Sequence, residues 1–460
     1  MSNDCFSAMR VQSKSRFGKF QFGKFQFDKF RFDKFRFDKF LSGFLVVIAF
    51  SLSSMGSALA QDRKNTSYLE VLRELYAAHP LMQQKRSDVR AAELATTVAE
   101  RQHWPTPSVS TSTGGKYVAP GTTLDGDTTA ITARLSIPIY TGGLLTVDQK
   151  MAAVRWQLAE IDLWQSSVDI SLQFADLYRQ WWQFTRREQV LRQTMGRLET
   201  LREMMERRTV AGVSSEVDLQ LTHVHISRMQ DELSQTIHAR DQALNDMRVM
   251  LGKPVQLKFE TLDEFPLWTY QNVNELSEQV LSVSASVRYA DMQTVLARLD
   301  VDRTRASVWP TINLRIDRQW GAYYGSLPPG ERVSLDTQLS LGAGLSALQQ
   351  EEQSLARVTS SEQQAAGVRQ RTETQVSRLW NDHNQALNQF ANVQGLVVRY
   401  EDITGANLRL FASGRRSWLD LLNIQRESHQ LNIQLVDAQS SIVSARLRMA
   451  VLTGLIRMGN

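Results

Sequence analysis

The chain has 460 residues, 42% of them hydrophobic and 22% charged, with a formal net charge of +5. The positive excess sits in the first 60 residues, which hold ten Lys/Arg and four Asp/Glu, while the remainder carries 43 basic and 44 acidic groups. A near-neutral body removes the basic-surface argument for a nucleic-acid partner, and Cys5, the single cysteine, leaves no thiol nucleophile or disulfide further along.

The first stretch is a Phe/Lys repeat of period five, Phe17 to Phe40. It reads as the extended n-region of a signal peptide or as sequence upstream of a later translation start, near Met9 or beyond, and is assigned no function. After Lys39 come the apolar run FLVVIAF, Phe44 to Phe50, and then small residues leading to Ala58-Leu59-Ala60. The run is too short to span a bilayer, whereas basic segment, apolar run and A-x-A together predict export, with residues 1–60 as a removable signal peptide. Cys5 lies upstream of the cleavage point and offers no lipid anchor to the mature chain.

Beyond Gln61 the sequence reads as one unit written twice, 61–265 and 266–460. HWPTPSVSTS, His103 to Ser112, matches VWPTINLRID, Val308 to Asp317, so that Trp104-Pro105 falls over Trp309-Pro310 at an offset of 205. Gly212, Ser215, Asp218 and Leu219 match Gly414, Ser417, Asp420 and Leu421 at an offset of 202, as does Gly252 with Gly454. Self-similarity at this period indicates duplication of a structural unit. Each copy runs helix, Trp-Pro, strand pair, long helix, glycine turn, long helix.

Four stretches alternate with period two. Ser108 to Thr113 is the most polar; Ala133, Leu135, Ile137 and Ile139 alternate with polar residues and Pro138; Ile312, Leu314 and Ile316 with Asn313, Arg315 and Asp317; Val333, Leu335, Leu339 and Leu341 with Ser334, Asp336, Gln338 and Ser340. Each is long enough for a membrane strand with one apolar and one wet face, or for a soluble sheet with one covered face. Export without a transmembrane helix favours the membrane reading. Strands survive in lipid only as a closed barrel, and four are too few to close one, so copies of the chain must pool them.

The long helices carry a 3.5-residue period. From Ile170 the apolar positions are Phe174, Leu177, Trp181, Phe184, Leu191, Met195, Leu198 and Met205, interrupted by Glu188 and Arg202; after the second turn they are Leu431, Leu435, Ala438, Ile442, Ala445, Met449 and Leu452. That spacing predicts coiled-coil packing. The proline-free segment from Ser346 to Leu410 would extend about 100 Å as a helix. Gly212 and Gly414 then relieve the backbone at the tips of two antiparallel hairpins, and Ser215 and Ser417 cap the helices that follow.

With duplication, Trp-Pro starts, long helices and the turns VAGVSSEVDL and ASGRRSWLDLLNIQRE in this order, the chain resembles the TolC family of trimeric outer-membrane export ducts over nearly all of its mature length. The second turn, with LSLGAGLSALQQ after the last strand, is most similar to the branch serving type I secretion of large adhesins. The resemblance implies a mainly α fold with membrane β: a homotrimer in the outer membrane, four strands per chain completing a twelve-stranded barrel, and a helical tunnel in the periplasm closed at rest. It also implies a periplasmic adaptor, an inner-membrane transporter of ABC type and a protein cargo. Residue by residue, it implies that Arg416 pairs with Asp218 on a neighbouring hairpin and that Asp420 forms an acidic ring at the mouth. Phe411 stands where the family has a latch tyrosine and Asn423 where it has a second carboxylate, which implies a weaker cation site and easier opening.

Other roles stay open for the same residues. Asp218 and Asp420 suit any helix N-terminus; Arg415 and Arg416 suit a solvated tip or an adaptor contact. Trp181-Trp182 suits helix packing. His223 and His225 fall on different helix faces, so no metal or other cofactor is expected. Without a Gly-rich phosphate loop, G-x-S-x-G or recognisable triad, the sequence points away from an enzyme. Small-molecule efflux and a periplasmic coiled-coil scaffold are the competing readings.

Overall fold

The computed structural model describes residues 67–113, 117–119, 122–124, 129–265, 270–321 and 328–456. The signal-peptide and Phe/Lys readings, with Cys5, lie outside the described residues.

Two series of helices follow one another. α1 (Tyr68–Ala78) and α2 (Pro80–Arg101) lead to β1 (Thr106–Thr113), a small hairpin of β2 (Tyr117–Ala119) and β3 (Thr122–Leu124), and β4 (Thr129–Tyr140); α3 (Leu144–Val210) and α4 (Glu216–Leu251) complete the series. α5 (Val273–Val283), α6 (Ala285–Ser307), β5 (Thr311–Trp320), β6 (Gly330–Gln338), α7 (Ala347–Ala412) and α8 (Trp418–Leu452) repeat it. Matched helices differ in length by no more than one residue: 11 and 11, 22 and 23, 67 and 66, 36 and 35. Side-chain caps set several starts. Ser67 and Glu70 form a capping box on α1, Asn272 caps α5 and Ser284 caps α6.

At about 1.5 Å per residue, α3 and α7 each carry the chain about 100 Å from the sheet to a hairpin tip. The predicted stripe on α3 is buried at Ile170, Phe174, Trp181, Leu191, Leu198 and Met205. Its interruptions are charge knots. Glu188 is itself buried and is held by Arg192 at 2.7 Å and by Arg240 from α4; Arg202 bonds Glu199 at 2.7 Å and Glu206. A carboxylate is tolerated at a seam position because guanidinium groups reach it from its own helix and from the neighbour.

α4 packs on α3 and α7 on α8; α8 also packs on α3, while nearer the sheet α6 packs on both α3 and α7. Around the middle, α1 covers an aromatic core in which Tyr68 stacks on Phe174 at 5.4 Å and Tyr178 meets Trp181 at 5.4 Å. Trp182 stacks on Phe259 at 5.4 Å and donates Nε1–H to the Glu260 carbonyl at 2.8 Å, so the Trp pair is structural packing against the segment after α4. Val443 and Leu447 of α8 join this core, while Met449 packs with Leu276 and Val280 of α5.

The sheet is antiparallel in the order β1-β4-β5-β6. Its register aligns Pro107, Leu135, Ile316 and Val333 on one face and Ser108, Arg134, Asp317 and Arg332 on the other. The first face leaves Val109, Val333 and Leu335 more than two-thirds exposed. The second is tied by Arg134–Asp317 at 2.8 Å and Arg315–Asp336 at 2.7 Å. Exposed Trp104, Tyr140 and Trp309 flank the sheet at its helical end and Trp320 stands at the far end. Trp309 lies so close to Gly142 (φ 62°) that a Cβ there would fall 2.4 Å from the Trp309 Cβ.

One expectation needs correction. β6 ends at Gln338, so Leu339 and Leu341, predicted to continue the alternation, lie beyond it. Gly342 (φ 75°) and a short 3-10 turn over Ala343–Leu345 redirect the chain into α7 there.

Candidate functional site at the hairpin tips

The two tips share one backbone solution. Gly212 and Gly414 adopt φ 71° and 76°, the left-handed conformation that glycine takes without steric cost. In the first tip Val213 N–H bonds the Arg208 carbonyl and Gly212 N–H the Thr209 carbonyl, both at 2.9 Å; in the second, Arg415 N–H bonds Leu410 at 2.9 Å and Gly414 N–H bonds Phe411 at 3.0 Å. These are paired closures of a helix C-terminus. Ser215 Oγ then accepts from Val217 N–H, and Ser417 Oγ from Asp420 N–H, each at 3.1 Å. The capping roles read from the sequence are therefore present at both turns.

The side chains differ. Val210, Val213 and Val217 of the first tip are exposed, whereas Phe411 and Trp418 of the second are buried at 4% exposure each. Trp418 and Phe411 lie 5.1 Å apart within a cluster containing Leu198, Leu201, Met205, Ile226, Leu421 and Leu422 from both hairpins. Trp418 donates Nε1–H to the Asp218 carbonyl at 3.1 Å. The Arg208 guanidinium lies 4.8 Å from the Phe411 ring centroid and donates to Ser214 Oγ at 3.1 Å, joining the first turn to the second hairpin. Of the predicted residues, Asp218 and Phe411 are thus each joined to the opposite hairpin, by a tryptophan to a main-chain carbonyl and an arginine over a ring, while Gly414 and Ser417 bond only within their own turn.

Arg416, in the turn before α8, finds its partner in the first turn of that helix. Its guanidinium lies 3.5 Å from Asp420, both side chains being about half exposed. The Ser417 hydroxyl first, and Arg416 next, hold the Asp420 carboxyl below the ordinary aspartate range. No hydrogen bond or ion pair engages the Asp218 carboxylate among the described residues, so an Arg416–Asp218 pair is not formed within one chain. Asn423 is exposed and accepts from Arg426 at 3.2 Å; Arg415 is exposed at the apex. Among the described residues, no group of three or more His, Cys, Asp or Glu could hold a metal ion.

A sheet with one bare apolar face, rimmed by aromatic residues and continuous with two hairpins that meet at capped tips, defines an unusual architecture. A family model for outer membrane efflux proteins matches residues 71–253 and 276–455, one segment in each helical series. The chain belongs to this family. Solved folds similar to it include a membrane protein from Pseudomonas aeruginosa, at 15% identity and TM-score 0.73, covering 84% of this chain and 93% of that one. The outer membrane protein VceC from Vibrio cholerae aligns at 15% identity and TM-score 0.72, covering 84% and 95%. The open state of the Neisseria gonorrhoeae MtrE outer membrane channel aligns at 12% and 0.67, covering 86% and 94%. Among curated protein sequences, none matches the chain. The resemblance read from the duplication, the Trp-Pro strand entries, the long helices and the turns therefore holds for the family and the fold.

Proposed function

We propose that the chain is the passive outer-membrane duct of a tripartite exporter. The observation that carries this reading is the sheet. Among the described residues each of β1 and β6 has an unpaired edge, and the bare apolar face lies between aromatic rims, so closure with further copies satisfies the edges and gives the apolar face a lipid environment. Three copies make a twelve-stranded barrel of this sheet, with the polar face inward and the helices of 61–265 and 266–460 continuing as a periplasmic tunnel. The duct does no chemistry. It conducts, and the tips set whether it is open.

In this assembly the Arg416–Asp420 pair faces a mouth ringed by three chains. Asp218, with its carboxylate uncommitted inside the protomer, is placed to receive Arg416 from the adjacent copy. Asp420 supplies the acidic ring and Asn423 a neutral one, while Arg415 with the exposed valines of the first tip forms the docking surface for the adaptor. Substituting Asn423→Asp adds a second carboxylate ring and is expected to strengthen block of single-channel current by a divalent cation; unchanged block means that Asn423 does not face the lumen.

The cargo is proposed to be a large adhesin delivered by an ABC-type transporter through type I secretion, a reading supported by the similarity of ASGRRSWLDLLNIQRE and LSLGAGLSALQQ to that branch. Small-molecule efflux is the second reading, favoured by the family description. Deletion of the gene separates them. Loss of a giant surface protein with unchanged drug susceptibility supports secretion, whereas sensitisation to small toxic compounds with an intact surface proteome supports efflux.

A further inference from the structure

Away from sheet and tips, the seam between α3 and α8 is laced by polar groups along one stripe. Arg448 reaches both oxygens of Asp176 at 2.8 and 2.9 Å, and Asp437 accepts from Gln183 at 2.8 Å and from Arg187 at 2.9 Å. The remaining rung is different. Among the described residues Arg179 donates to neutral acceptors only, Gln183 at 2.9 Å and Ser440 at 3.4 Å. Burial, with Arg448 adding to it and Asp176 opposing, pushes its guanidinium below the usual arginine value. This is a half-buried cation whose hydrogen bonds go to neutral groups and whose charge Asp176 offsets only in part, an arrangement that costs free energy in the empty protein.

Arg179 and Arg448 open onto a groove between α3 and α7, floored by α8 on the side opposite Val443 and Leu447 of the aromatic core, while Leu379 and Leu452 of its lining also pack toward Leu276 and Val280 of α5. Two adjoining cavities of about 800 and 310 Å³ make up the groove and share Leu379, Asp382 and Arg448. From α7, Arg371 and Arg378 line the larger cavity; Arg378 has no hydrogen bond or ion pair among the described residues. Four guanidinium groups thus face two carboxylates, and one of those, Asp176, is committed to Arg448. In the smaller cavity Gln385, Gln389 and Ser444 add polar groups with no hydrogen bond among the described residues.

We infer that this groove is a binding site for oxyanion groups of organic solutes, carboxylates or phosphates, with Arg179 and Arg378 as the principal donors. Guanidinium groups recognise such oxygens in pairs, the cavities are of small-molecule size, and the uncharged donors complete the shell. Asp382 sets a limit, because it repels any anion that does not engage at least two of the arginines. Access from the lumen rests on the duct reading above; the binding chemistry does not.

The test is calorimetric titration of the detergent-purified full chain at low ionic strength, with inorganic phosphate in one arm and succinate in the other. Saturable binding of either probe, weakened at least tenfold in both Arg179→Gln and Arg378→Gln, is the expected result, and the arm that binds identifies phosphate or carboxylate as the preferred group. Arg378→Gln keeps the test readable if Arg179→Gln loosens the seam, since Arg378 is exposed and has no hydrogen bond or ion pair among the described residues. No saturable binding of either probe, or wild-type affinity in Arg378→Gln, overturns the site. The readout needs no channel current: a silent bilayer with intact anion binding counts against the duct alone, and conduction without binding counts against the site alone.

Discussion

The two hairpin tips have the same backbone and opposite side-chain chemistry. Both close on a left-handed glycine and a serine cap, yet at matching positions the first tip shows exposed Glu216 and the second buries Trp418. Duplication fixed the turn, because only a few residue types solve that geometry, and left the flanking positions free to diverge. The second hairpin became the one that is anchored, through Trp418 and Phe411, onto the first. An opening movement that separates the hairpins must break these contacts.

The largest expected effect tests this asymmetry directly. Trp418→Ala removes a buried ring, its bond to the Asp218 carbonyl and its packing on Phe411, which should cost about 3–5 kcal/mol; Glu216→Ala should stay within about 0.5 kcal/mol. Amide hydrogen exchange across 405–425 and 205–222 reads both. Equal responses would mean that the tips are not held differently.

Acid sharpens the comparison along the long helices. At mid-length α3 buries aromatic rings, whereas α7 buries His383, whose pKa is lowered to about 4 by burial and by Arg446. A histidine with a depressed folded-state pKa binds fewer protons folded than unfolded. Its contribution is present above the ordinary value of 6.5 and is lost as pH falls toward 4, on the order of 2 kcal/mol. Exchange protection in α7 should therefore fall ahead of that in the middle of α3 over this interval, and His383→Gln should remove the difference.

The smallest effect concerns what the tips share. Gly212→Ala and Gly414→Ala each force a Cβ into the left-handed region with open space around it, and each should cost about 1–2 kcal/mol. A marked inequality in thermal midpoint would show that one turn carries load beyond its geometry.

The fold was legible where chemistry repeats. The 202- and 205-residue offsets mark the two helical series, and the 3.5 and 2.0 periods separate helix from strand at nearly every boundary, failing at Leu339 and Leu341 because alternation continues by chance beyond the last strand residue, Gln338, up to the turn at Gly342. The glycines and serines of the tips were visible because their positions carry strict backbone requirements. The contacts between tips were not. Trp418 to the Asp218 carbonyl joins residues 200 apart through a main-chain oxygen, which any residue type supplies, so the sequence carries only the hint of a tryptophan at a helix start. The buried Glu188 looked like a break in the heptad because its partner Arg240 lies on another helix. Resemblance directed attention to Arg416–Asp218, whereas within the protomer Arg416 pairs with Asp420.

The most direct test of the central claim, a duct whose hairpin tips close it, is single-channel recording of the detergent-purified protein in a planar bilayer, with Arg416→Ala beside the wild type. Discrete steps are expected, small at rest and several-fold larger in the variant. A protein that extracts without detergent and gives no steps would contradict the barrel, and steps of equal size in both proteins would remove Arg416 from the closure.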